Sequence, residues 1–171
     1  VELYLDKVEA HESHTTDPYG ASDWMKNMLH FAGGSSAAES ATLLASLNGF
    51  KATIEDTLFG GSVKSYAKTS SAPIQNSLSD SIKDLIGQGV SMMTFFGHAS
   101  TSGGFDQNID VPASWPNQNG KYPLVMGLAC HTGDVHTAVS NSTSESYVLT
   151  PEKGAIAFLA GVDLGVVPIL S

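Results

Sequence analysis

The chain has 171 residues, 42% of them hydrophobic, with 8 basic against 17 acidic residues and a net charge of −9. That length supports one domain with a real core and is marginal for two. An acidic balance with no basic block argues against nucleic acid or anionic membrane as partners, and no apolar stretch approaches the ~20 residues of a membrane helix.

Residues 1 to 23 read as a polar lead-in, irregular or partly disordered, with Asp17-Pro18-Tyr19-Gly20 as a turn. A strand is expected over Met25 to Ala32, ended by Gly33-Gly34. Ser36 followed by Glu39 forms a capping-box pattern, so a helix starts there. Leu43, Leu44 and Leu47 give its apolar stripe, and Asn48-Gly49 is the expected stop. Residues 50 to 59 fit a loop or a short strand. Ser62 to Lys68 alternates as a strand does.

A second helix begins around Ser77 and Asp80, buries Leu78, Ile82, Leu85 and Ile86, and ends at Gly87 and Gly89. Val90 to Phe96 is an unbroken apolar run, as expected of a strand covered on both faces. A long polar loop over 99 to 121 precedes another strand, Leu124 to Ala129. Ser142 to Leu149 reads as a short capped helix and Gly154 to Ala160 as a last buried strand. This order predicts an α/β domain, a mostly parallel sheet with helices on both faces. Val1 is no initiator Met, no signal-peptide pattern follows it, and residues 166 to 171 stop in mid-pattern. The chain is therefore expected to be a fragment of a longer protein.

Two strand ends carry chemistry. Cys130, the only cysteine, stands in Ala129-Cys130-His131-Thr132-Gly133, directly after the run Leu124 to Leu128. Thirty-two residues earlier, His98 stands in Phe96-Gly97-His98-Ala99-Ser100, after its own apolar run. A thiol attacks as thiolate, so a neighbouring imidazole must take its proton, and strand ends of an open α/β sheet are where such side chains converge. Either residue alone is more ordinarily structural: a buried small hydrophobe, a hydrogen-bonded strand-end imidazole. Together, flanked by small residues, they point to a cysteine hydrolase.

These two motifs, with Asn119-Gly120-Lys121-Tyr122-Pro123 between them, resemble the gingipain-type cysteine peptidases of peptidase family C25 in the caspase-like clan. Trp24 to Gly34, Lys68 to Gln75 and Thr150 to Gly161 share the likeness. It is strongest to the catalytic domain of the surface sortase of type IX secretion. The resemblance covers about residues 24 to 165. It implies that 24 to 171 form a caspase-like catalytic (sub)domain, truncated from a larger protein, that contacts the other domains of that parent. It also implies a secreted or cell-surface location.

Carried over residue by residue, the resemblance implies Cys130 as nucleophile and His98 as general acid/base. The N–H groups of Cys130 and Ala99 would form the oxyanion hole. The family usually has glycine after the histidine. Alanine keeps the N–H and is neutral there unless the backbone needs positive φ. The expected reaction is cleavage of peptide bonds in protein or peptide substrates through a thioester, with water or an amine as acyl acceptor. An acid orienting the histidine would be Glu39 or Glu55, although the capping box with Ser36 is the favoured role of Glu39.

Leu128 and Trp115 are candidates to line a substrate pocket. Asp56, Asp106, Asp110, Asp134 and Asp163 are candidates to receive a basic side chain. No cofactor is required. The spacing of His131 and His136 fits no standard zinc pattern, and the resemblance allows a structural calcium ion. Two rivals share these residues: a catalytically impaired binding or scaffold module with the same fold, and a cysteine hydrolase of small amides or esters.

Overall fold

A computed structural model describes residues 1–18, 20–99, 104–136 and 142–164. The expectations for Tyr19 and for residues 100–103, 137–141 and 165–171, the mid-pattern carboxyl end among them, lie outside the described residues. Seven strands are present among those described: β1 Asn27–Ala32, β2 Ser62–Ala67, β3 Gln75–Asn76, β4 Met92–Phe96, β5 Gln107–Asn108, β6 Leu124–Leu128 and β7 Ala157–Ala160. The helices are α1 Glu2–Glu12, α2 Ala37–Ile54, α3 Asp80–Gln88 and α4 Thr143–Leu149. The main sheet has the order β2-β1-β4-β6-β7 and every pair in it is parallel. β3 and β5 form a separate two-stranded parallel ribbon, β5 lying within the segment 99 to 121 read as a loop.

Alternation along the strands divides the core in two. Leu29, Phe31, Met93, Phe95 and Val125 pack with Ile82 and Ile86 of α3 in the larger cluster, which also takes in Trp115 and Tyr147. Ala32 packs with Leu43 and Leu47 of α2, against partly buried Phe96 and Ala67. Helices therefore cover both faces. Ile82 and Ile86, one turn apart, show why α3 was legible: each helix buries the stripe its spacing creates.

Two expectations need correction. Asn48-Gly49 does not stop α2, which runs on to Ile54. A Cβ added at Gly49 would meet nothing within 4 Å, so this glycine sits on an open helix surface, where its cost of about 1 kcal/mol is bearable. The extra turns are fastened to β2: Lys51 Nζ donates to the Val63 carbonyl (2.6 Å), and the Val63 N–H donates to Glu55 (2.9 Å).

The lead-in is not irregular either. Its helix α1 is followed by a 3-10 turn over Ser13–Thr16. No apolar stripe announces α1, because polar contacts distant in sequence hold it. Lys7, 2% exposed, donates Nζ to the carbonyls of Val148, Thr150, Lys153 and Ala155 at 2.7–3.1 Å. Tyr4 donates to the Ile156 carbonyl, and the rings of His11 and His14 reach the carbonyls of Gly120 and Asn119. The lysine thus ties α1 to the end of α4 and the approach to β7.

Lys7→Met keeps the apolar stem and removes the donor from four carbonyls. It is expected to cost about 2 kcal/mol, seen as a lower urea midpoint at unchanged m-value. A midpoint equal to that of the parent chain would show α1 to be held by its other contacts.

Candidate active site

The ladder between β4 and β6 pairs Phe96 with Leu128. Two residues beyond each stand His98 and Cys130, so both leave the carboxyl edge of the sheet at the same step on adjacent strands. Neighbouring strands lie about 4.8 Å apart. The pairing continues past the ladder, since the Gly97 N–H donates to the Leu128 carbonyl at 3.3 Å. Cys130 is half-buried and His98 is exposed, with 46% of its side chain in solvent. Both side chains thus stand at the carboxyl edge of the sheet.

Glu39 is the third residue of α2. Its N–H donates to Ser36 Oγ at 3.2 Å, which is one half of a capping box. The other half is absent. Its carboxylate instead accepts from the Ser35 N–H (2.7 Å) and the Ser35 hydroxyl through Oε2, and Oε1 accepts from His98 Nε2 at 2.9 Å. A carboxylate can only accept here, so Nε2 carries the hydrogen and Nδ1 is the nitrogen left to take a thiol proton. The Ser35 hydroxyl, then the Ser35 N–H and His98, hold the Glu39 carboxyl below its usual 4.5. The positive end of α2 favours the same charge.

Glu55 caps the opposite end of α2, about 24 Å along the helix. Its carboxylate binds Lys51 and the Val63 N–H, so it does not orient His98.

Ala99 forms an isolated antiparallel bridge with Phe105, in which the Asp106 N–H donates to the His98 carbonyl at 2.8 Å. That bond does not use the Ala99 N–H. Among the described residues the non-glycines with positive φ are Asn119, His131 and Glu152, so Ala99 carries its Cβ without backbone strain.

The turn after the thiol is held from the other side. His131 adopts φ 53, its N–H donates to the Asp163 carbonyl (3.1 Å) and the Gly133 N–H to that of Gly161 (2.8 Å). Its Nδ1 lies 2.8 Å from Asp134 Oδ2. The i,i+3 spacing of His131 and Asp134 around Gly133 was a readable sign of this pair.

Leu128, 37% exposed, is at the site, two residues before Cys130. Trp115 is not. It is fully buried, edge-on to Tyr147 at 5.2 Å, with its N–H on the Ile109 carbonyl, so it packs the core and lines no pocket.

The acids considered for a basic side chain are largely committed elsewhere. Asp56 caps its own turn at Leu58, and Asp134 holds His131. Asp110 accepts from the Tyr147 hydroxyl and the Phe105 N–H, and burial pushes its carboxyl up. Asp106 lies inside, against Lys68. Asp163 alone is exposed beside the Cys130 turn, its carboxylate on the Leu164 N–H. Among the described residues no group of three or more His, Cys, Asp or Glu could hold a metal ion.

The sequence matches the family described as Peptidase family C25 over residues 1–169. The chain belongs to that family. Solved structures agree on the fold. One, described only as that of a protease, has a TM-score of 0.73 at 19% identity, covering 95% of this chain and 34% of its own. The Arg-specific cysteine proteinase gingipain R has a TM-score of 0.66 at 17% identity, with 92% and 37% covered. The complex of Porphyromonas gingivalis RgpB pro- and mature domains gives 0.64 at 17%, with the same coverage. No curated protein matches the sequence. The C25 chain thus has the caspase-like α/β fold and spans about a third of the length of these structures. Among the described residues, no helix is long and apolar enough to cross a membrane.

The Glu39 carboxyl has a folded-state pKa below its unfolded 4.5. The stability it contributes is therefore whole above pH 4.5 and is lost as pH falls through the lowered value. Urea unfolding of the C25 chain between about pH 3 and pH 6 should show this acid limb, and Glu39→Gln should flatten it. An identical limb in the variant would place the loss in other carboxylates.

Proposed function

We propose that this C25 chain carries the reactive site of a cysteine peptidase that works by acyl transfer. The observation that carries the reading is the Glu39–His98 contact of 2.9 Å on the strand end in register with Cys130. His98 Nδ1 takes the Cys130 proton, and the thiolate attacks the peptide carbonyl carbon. The oxyanion sits between the N–H groups of Cys130 and Ala99. On collapse the C–N bond breaks, His98 returns the proton to the leaving amine, and a thioester remains. Water attacks the thioester in hydrolysis, an amine in sortase-like transfer, and His98 accepts the incoming nucleophile's proton; the C–S bond then breaks and His98 returns that proton to the departing Cys130 sulfur.

Glu39 fixes the tautomer and steadies the imidazolium that forms between these steps. The half-open position of both groups suits a peptide laid across the sheet edge, with Leu128 touching the residue before the scissile bond. Membership of the family supports protein substrates and a secreted or cell-surface setting as part of the same proposal.

In the polypeptide that carries this chain, Cys130→Ala should abolish peptide cleavage, and His98→Ala should lower kcat/KM by about 10²- to 10⁴-fold. Cleavage unchanged by Cys130→Ala would remove the proposal and leave the fold as a binding module. Adding a peptide amine at fixed substrate separates the two acceptors, since transfer yields a ligated product and hydrolysis does not.

A further inference from the structure

We propose that Asp106, held by Lys68, is a positioning residue for the Glu39–His98 pair; the inference rests on the reading of His98 as the partner of Cys130. Asp106 and Lys68 are almost fully enclosed, with 7% and 1% of their side chains exposed. Asp106 Oδ1 accepts from the His98 N–H at 3.2 Å. Oδ2 accepts from the Gly34 N–H at 2.8 Å and from Lys68 Nζ at 3.3 Å. Lys68 also donates to the Gly34 carbonyl at 3.0 Å. Both peptide groups flanking the Gly34 Cα are thus gripped by the ion pair.

From this one carboxylate two short paths lead to the same contact. One runs through the backbone of His98 to its imidazole. The other runs through Gly34 to Ser35, whose N–H and hydroxyl hold Glu39 Oε2. The paths meet where Glu39 Oε1 accepts from His98 Nε2. Asp106 therefore sets the position of both members of the pair at once.

The surroundings are shaped for this carboxylate. A Cβ on Gly33 would stand 2.1 Å from Oδ1, and one on Gly97 would stand 2.9 Å from it. Two glycines on neighbouring strand ends leave the room that Asp106 fills. An apolar side chain could fill that room without burying an ion pair, which is often neutral or better for stability. What an apolar residue could not do is accept from His98 and Gly34 together.

Cys130 is the sole cysteine, so the rate of alkylation by iodoacetamide reads this thiol alone in the chain as it stands. The rate is to be measured at neutral pH for the parent chain, His98→Ala, Asp106→Asn and the double variant His98→Ala/Asp106→Asn. Asparagine offers one acceptor atom and cannot bridge His98 and Gly34. Asp106→Asn is expected to slow alkylation about tenfold and to have no further effect once His98 is gone.

An equal loss in both backgrounds would mean that Asp106 acts on general structure, and the inference would fall. Slowing by His98→Ala but not by Asp106→Asn would also overturn it and leave the reading of His98 intact. No effect of His98→Ala would remove that reading, and this inference with it. Where circular dichroism shows Asp106→Asn unfolded, Lys68→Met/Asp106→Asn, with no unpaired buried charge, replaces it in both backgrounds and is judged the same way.

Discussion

A carboxylate taken out of water has to be surrounded by donors, and the three around Asp106 come from the ends of three adjacent strands. Lys68 follows β2, Gly34 follows β1 and His98 follows β4, which is the order of those strands in the sheet. Removing one partner from a buried ion pair typically costs about 3–5 kcal/mol, because the other charge is left in low dielectric. The three ends are therefore bound to move together. The chain returns to this point after His98 by burying Phe105, whose ring stacks on Phe95 at 3.8 Å. Hydrophobic burial of Phe105 delivers the neighbouring acid, and the acid fixes the strand ends.

The thiol is held by different means. Cys130 follows β6, and the donors to the Asp106 carboxylate come from the ends of β2, β1 and β4. Its turn is tied instead to the segment after β7, through His131 on Asp163 and Gly133 on Gly161. His98 and Cys130 thus belong to two separately braced halves that meet along the β4–β6 ladder. Each half has its own imidazole–carboxylate pair, Glu39 with His98 and Asp134 with His131. Only the first includes an imidazole whose second nitrogen is proposed to serve the thiol.

What could be read from the sequence was whatever periodicity and strand ends encode. Val90 to Phe96 reads as a strand covered on both faces and Leu124 to Ala129 as the next strand, and their ends place His98 and Cys130 at the edge of the sheet. The Ile82 and Ile86 stripe likewise marks α3. Contacts chosen among several local options were not legible. Glu39 had a capping partner in Ser36 by spacing, yet its carboxylate turned to Ser35 and His98, and no local rule ranks those alternatives. Trp115 sits in a polar loop by sequence and in the core in space, because the loop folds back over the sheet. Lys7 gives no sign of its role, since the four carbonyls it holds lie more than a hundred residues away. α2 outran its glycine because Lys51 and Glu55 found β2.

The shared step of His98 and Cys130 on paired strands also governs which lengths of chain this family member can vary. One residue inserted within β4 or β6 would slide one strand end by about 3.3 Å and turn its side chain to the opposite face. The same residue inserted at the exposed Gln118–Asn119 turn ahead of β6 would leave both strand ends where they are. The architecture therefore confines length variation to its connections, while the ladder keeps the two strand ends in step.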